Sequence, residues 1–255
     1  MRHRPGCICQ VAESRTQETC VLVPLLLDVD DWRKAGHMKR YLILTLFLTA
    51  VGCDDDNPTA PSGPSMSFFV TSATSVTGNL GGLAGADATC QRLGAAAGQG
   101  SRSWRAYLSV ERDSANANQP TNARDRIGAG PWYNANLALV ANNLAELHSR
   151  TGDAAVFLDE RGQRINGQWT NSPSPVQHDI LTGSNADGTL LAGSTCSDWT
   201  SDSVSLAAQV GHSDGLGPGQ STAGALSSWN SAHTSLNCAD TAPRGGSGRF
   251  YCFAR

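Results

Sequence analysis

Charge is scarce in this chain. Asp, Glu, Lys and Arg make up 16% of its 255 residues, the formal net charge is −3, and the basic residues gather nowhere. That argues against a nucleic-acid partner, which needs a concentrated basic face. Aromatic residues are also few, at 6%, although six of them are Trp. The apolar run from Tyr41 to Val51 is interrupted by Thr45 and Thr49 and falls short of the roughly 20 residues that cross a bilayer, so it is no transmembrane helix. No Cys-x-x-Cys pair and no His-Glu-x-x-His occurs, which removes the local signatures of zinc sites. There is no internal repeat.

What the chain does have is an export signal in an unexpected place. MKRYLILTLFLTAVGCDDD, residues 38–56, carries two basic residues, an apolar run and small residues before Cys53, the order of a secretory signal. Ala50-Val51-Gly52-Cys53 resembles the bacterial lipobox, whose cysteine is acylated and becomes the new N-terminus. A short buried helix is the alternative, but Asp54, Asp55, Asp56 and Asn57-Pro58 follow at once and suit a solvated tether better. The expected organisation is an upstream extension over 1–37 with Met38 as the true start, a signal peptide over 38–52, a lipidated tether over 53–65 and a folded domain over 66–255. The expected location is the cell envelope, on the periplasmic or cell-surface side, with the membrane as a partner through lipid. Residues 54–65 are rich in Pro, Ser, Asp and Gly and lack apolar periodicity, as an extended linker does.

Of eight cysteines, Cys7, Cys9 and Cys20 fall in the extension and Cys53 goes to lipid. Cys90, Cys196, Cys238 and Cys252 remain, an even number that predicts two disulfides in an exported chain. Three connectivities are open at this point.

The domain reads as mixed α and β. SFFVTS (67–72) and SWRAYLSV (103–110) have strand composition, and Leu83, Ala86, Cys90, Leu93 and Ala97 recur at helical spacing, predicting a helix over 85–97 with Cys90 on its buried face. Residues 111–126 read as a polar surface loop. Leu137, Val140, Ala141, Leu144 and Leu147 predict a second helix within 136–148. AAVFLD and QRINGQWT flank Glu160-Arg161-Gly162 as a hairpin, and GRFYCFAR closes the chain as a strand.

FVTS, GNLGGLAGADATC, WRAYLS, CSDWTS, Trp229 and RFYCF, in that order, resemble a family of uncharacterised bacterial secreted lipoproteins whose domain is similar to C-type lectin-like and endostatin-like folds. The resemblance covers most of Phe68 to Phe253. It implies an α+β domain with two helices, short antiparallel strands, long loops and nested disulfides, Cys90 with Cys252 and Cys196 with Cys238. The implied function is a non-enzymatic, envelope-anchored ligand-binding or adhesion domain, with a glycan or extracellular protein as partner. A purely structural envelope protein is another possibility.

Candidate chemistry is sparse. GHSDG (211–215) satisfies Gly-x-Ser-x-Gly, so a secreted serine hydrolase using Ser213 is the enzymatic alternative, but LGPGQS follows where that turn needs a helix. His148, His178, His212 and His233 are scattered and read as surface or satisfied histidines. The calcium-binding tripeptides of sugar-binding lectins are missing, and Trp229-Asn230-Ser231 stands where those lectins have Trp-Asn-Asp. Asp198, Asp202, Asp214 and Asp240 read as scattered surface acids, and no metal or cofactor is expected. Ligand-binding candidates are Trp199, Asp202, His212, Asp214, Trp229 and Asn230, most of them on or beside the exposed loop from Asp202 to Ser228. Trp199 and Trp229 also fit a core position near the Cys196 and Cys238 bridge.

Overall fold

The computed structural model describes residues 63–255. The extension 1–37, the signal 38–52, Cys53 and the tether up to residue 62 lie outside them. In chain order the elements are β1 (Phe68–Val70), α1 (Gly82–Ala96), β2 (Trp104–Ala106), β3 (Val110–Asp113), β4 (Gln119–Thr121), β5 (Trp132–Tyr133), β6 (Leu139–Ala141), α2 (Leu144–Ser149), β7 (Asp179–Leu181), β8 (Gln209–His212), β9 (His233–Thr234) and β10 (Gly246–Ala254). The main sheet runs β1-β10-β7-β8-β9, with β2 also on β10. Its pairings are antiparallel except β10 with β7, which is parallel. No helix among the described residues is long and apolar enough to cross a membrane.

β10 organises the core. Side chains alternate across a strand, and here both faces are covered. Phe250, Cys252 and Ala254 enter one buried cluster with Phe69, Trp104 and Trp199, while Tyr251 and Phe253 enter a second with Phe68, Phe157 and Trp229. The run FYCFA is therefore apolar throughout, as a strand buried on both sides requires. Helix α1 lies against the first cluster through Ala86, Cys90 and Leu93. At Gly94 the helix backbone meets the Trp104 indole, and a Cβ there would lie 2.3 Å from Trp104 Nε1.

Cys90 is bonded to Cys252 and Cys196 to Cys238, with Cα atoms 5.5 and 5.7 Å apart, the nested order implied by the resemblance. The first bridge ties α1 to β10. The second anchors a single turn over Cys196–Trp199 in which all four residues have positive φ, from 47° to 64°. Left-handed residues other than glycine cost roughly 1–2 kcal/mol each. Side-chain bonds oppose that cost: Asp198 Oδ1 accepts from Glu111 N at 2.6 Å, and Trp199 Nε1 donates to Ser109 O at 2.9 Å.

Several expectations need correction. The strand over 103–110 is two strands, because the backbone between them departs to bond elsewhere: Ser109 N donates to Thr182 O. The loop over 111–126 contains the β3–β4 hairpin and ends on buried Arg126, whose guanidinium grips both Asp87 carboxylate oxygens, at 2.9 and 2.8 Å. The helix over 136–148 is a turn, β6 and the short α2. Asn134 Oδ1 accepts from Asn136 N and Ala138 N, Leu137 takes φ 60°, and Leu137 and Leu139 are exposed. Helix α2 starts instead at Asn143, whose Oδ1 accepts from Glu146 N. The expected hairpin flanks make one bridge, Leu158 with Arg164, around a turn that Asp159 closes by accepting from Arg161 N and Gln163 N.

Candidate functional site

The most unusual chemistry lies at the β7–β8–β9 end of the sheet. Asp179 pairs directly with His212 across β7 and β8, and His233 pairs with Val210, two residues along β8. Opposed residues of an antiparallel pair share a face, as do residues two apart on one strand. Register alone therefore gathers Asp179, His212 and His233. His178, one position before β7, completes the group by stacking its ring on His212, with centroids 4.4 Å apart and planes 7° from parallel.

The imidazoles converge on one carboxylate. Asp179 Oδ1 is 3.4 Å from both His178 Nε2 and His212 Nε2, and Oδ2 is 3.5 Å from His233 Nε2. Each ring is turned by a partner on its other nitrogen. His178 Nδ1 donates to Asp214 Oδ1 at 2.7 Å, His212 Nδ1 to the Leu226 carbonyl at 2.8 Å and His233 Nδ1 to the Thr234 carbonyl at 3.0 Å. Carbonyl and carboxylate oxygens only accept, so Nδ1 carries the proton and, in the neutral ring, Nε2 presents a lone pair. Asp179 is 3% exposed, and its Oδ1 has no hydrogen-bond partner.

Burial dominates the electrostatics. It pushes the Asp179 carboxyl up to about 6, opposed by His233 and His178. It pushes His212 down to about 4, helped by the neighbouring His178. Burial would also raise Asp214, but the hydrogen bond and charge of His178, with the amides of Gln168 and Leu216, hold its carboxyl below the usual range. Asp214 can sit this close because residue 167 is glycine: a Cβ there would lie 2.2 Å from Asp214 Oδ2.

Beside the cluster, with Asp214 in its wall, opens a cleft of about 400 Å³ lined also by Arg150, Asp153, Arg164, Trp169 and Leu216. The Arg164 guanidinium lies over the Trp169 ring at 5.3 Å, and Arg150 lies over Phe157 at 5.1 Å. Arg150 Nη1 donates to the Val140 carbonyl, while its buried Nε has no partner.

Of the residues expected to contact a ligand, the structure brings His212 and Asp214 together in this cluster. Asp202 is exposed elsewhere on the loop. Trp199 and Trp229 are fully buried and present no ring to solvent, and Trp229 Nε1 donates to Leu147 O at 2.9 Å. Asn230 is buried with its amide donating to the Tyr107 hydroxyl and to Asn185 O. Asp198 caps the Glu111 amide. Ser213 is 1% exposed and is followed by a turn and a short 3-10 segment rather than a helix. The histidines expected to be scattered are not: three of the four converge, and only His148 stands apart, its Nε2 bonded to the Tyr107 hydroxyl at 2.7 Å. His178, Asp179 and His233 are the residues that sequence reasoning missed. The available signal was a pair of short His/Asp clusters, His178-Asp179 and His212-Ser213-Asp214, each at a strand end.

A mixed α/β domain with small sheets, two nested disulfides and a buried histidine–carboxylate cluster defines the class. Residues 73–215, more than half the chain, match the family described as "Protein of unknown function (DUF1554)", and the chain belongs to it. The match includes His178, Asp179, His212 and Asp214 and stops short of His233. No curated protein matches the chain.

Proposed function

We propose that this chain is an envelope-anchored, lectin-like binding domain, tethered by lipid on Cys53 and presenting the Trp169 cleft to a saccharide-bearing ligand. The observation that carries the reading is the nested arrangement: the first and last strands, β1 and β10, pair with each other, and two disulfides enclose the long loops between them. That arrangement fits the lectin-like fold implied by the motif order. It also suits an oxidising compartment outside the cytoplasm.

The cleft has the chemistry to hold a sugar. A half-buried Trp offers an apolar face, and the exposed Arg164 guanidinium and Asp153 carboxylate offer a planar donor and an acceptor for hydroxyl groups. The activity is binding without turnover, a reading supported by the burial of Ser213 and the lack of a helix behind it. A glycan and extracellular-matrix screen on the purified protein tests it. The expected result is saturable binding of a sugar-bearing ligand, weakened about tenfold or more in the Trp169→Ala, Arg164→Ala double variant. Binding that is equal in the variant would reject the cleft. No binding at all would favour a structural envelope role. Metabolic labelling with a fatty acid, lost in Cys53→Ser, tests the anchor.

A further inference from the structure

We propose that His178 and His212, through Nε2, together with the Asp179 carboxylate, form a binding site for a divalent transition-metal ion of the zinc class, with water completing the shell. This goes beyond the binding reading and does not depend on it. Four features carry it.

The first is the tautomer. In the neutral rings the Nδ1 hydrogen bonds to Asp214 and Leu226 leave the Nε2 atoms of His178 and His212 unprotonated, each 3.4 Å from Asp179 Oδ1. Lone pairs facing an anion repel unless a cation lies among them. The second is the unpartnered oxygen: Asp179 Oδ1 is buried, without a hydrogen bond, and aimed at the space between two imidazoles. An unsatisfied buried carboxylate oxygen costs stability, and a metal bond would satisfy it.

The third is distance. Ligand atoms 2.0–2.2 Å from a tetrahedral ion stand about 3.3–3.6 Å apart. The two imidazole nitrogens each stand 3.4 Å from Asp179 Oδ1, and one ligand atom from each of the three residues lies within 4.8 Å of the others. The fourth is the outer shell. A metal-bound His characteristically gives its other N–H to a carboxylate or carbonyl, which fixes the ring and raises its basicity. Both ligating rings do so, and Gly167 leaves room for the Asp214 carboxylate that holds His178.

Ligand type selects the ion. Imidazole nitrogens suit zinc, copper, nickel and cobalt, whereas calcium and magnesium prefer all-oxygen shells. The three ligands are buried, and the neighbouring His233 side chain, 29% exposed, opens a way in from solvent. The competing account is a cluster held by protons alone, with an imidazolium against Asp179.

The test uses the untagged protein stripped with a chelator. Titration with Zn²⁺ should give one equivalent per chain and raise Tm by about 5–10 °C at saturating metal. Co²⁺ should produce visible d–d absorption of a tetrahedral site, while Ca²⁺ and Mg²⁺ should leave Tm unmoved. Asp179→Asn and His212→Gln should each abolish the Tm shift and the cobalt spectrum, and His148→Gln, outside the cluster, should retain both. Asp179→Asn keeps the experiment decisive if His212→Gln fails to fold, because its amide can donate to the facing Nε2 atoms. Absence of any metal-induced shift in the wild type, or an undiminished shift in Asp179→Asn, would overturn the proposal in favour of the proton-only cluster.

Discussion

Asp179 concentrates the tension in this molecule. Its folded carboxyl keeps a proton up to about pH 6, whereas the unfolded chain releases it near 3.8. Between those values the folded state holds the extra proton, so this group's contribution to stability falls as pH rises. His212 works in the opposite sense. Its folded ring loses its proton by about pH 4 against 6.5 unfolded, so stability falls as pH drops through that window. In the metal-free protein the two slopes oppose each other between about pH 4 and 6. Asp179→Asn removes one of them. The variant is expected to be more stable than the metal-free wild type at pH 7 by about 2–3 kcal/mol, an upper figure from the size of the Asp179 shift. The advantage should vanish near pH 4. Urea melts of both proteins at pH 4, 5, 6 and 7 measure the difference, and an advantage independent of pH would contradict the assignment of the penalty to this carboxylate.

At the level of elements, the parts readable from sequence were those whose local pattern agreed with their final environment. Phe250, Tyr251 and Phe253 make a strand in isolation and in the sheet. Leu83, Ala86, Cys90 and Leu93 keep the spacing of one buried helix face, and α1 forms where they lie, only starting earlier, at Gly82. The segment 136–148 was not readable because its 3–4 spacing is overridden by side-chain chemistry: Asn134 and Asn143 each bind backbone amides and divide the run into a turn, a strand and a short helix. The histidine–carboxylate cluster was illegible for a different reason. Its members come from three strands, and only the register of β7 on β8 and of β8 on β9 brings them together. The left-handed turn at Cys196–Trp199 bears on the two disulfides. Chain entropy alone credits the Cys196–Cys238 bridge, with a separation of 42, with about 4 kcal/mol and the Cys90–Cys252 bridge, with 162, with about 5 kcal/mol. Losing the first should cost less still, since the four left-handed residues can then relax. Paired Cys→Ala variants compared by urea unfolding are expected to rank Cys90/Cys252 as clearly the more damaging loss. A gap of only about 1 kcal/mol, the entropic difference alone, would show that the turn stores no strain released by the bridge.

Across the whole molecule, one long strand does most of the joining. β10 pairs with β1 and β2 at its C-terminal half and with β7 at its N-terminal half, so the same strand that closes on the first described strand also carries the sheet toward Asp179, His212 and His233. The two aromatic clusters on its faces and the bridge at Cys252 make that frame rigid. A cluster fixed by sheet register on such a frame is held for a ligand before the ligand arrives, which is what a binding site needs. The cleft at Trp169 shares Asp214 with the cluster, so one side chain serves both the wall of the cleft and the orientation of His178.

The most direct measurement is X-ray absorption at the zinc edge on the wild-type protein loaded with one equivalent of Zn²⁺. The account predicts a first shell of nitrogen and oxygen at about 2.0–2.1 Å, with the outer-shell scattering pattern of two imidazole rings. A shell of six water-like oxygens, or one containing sulphur, would contradict it.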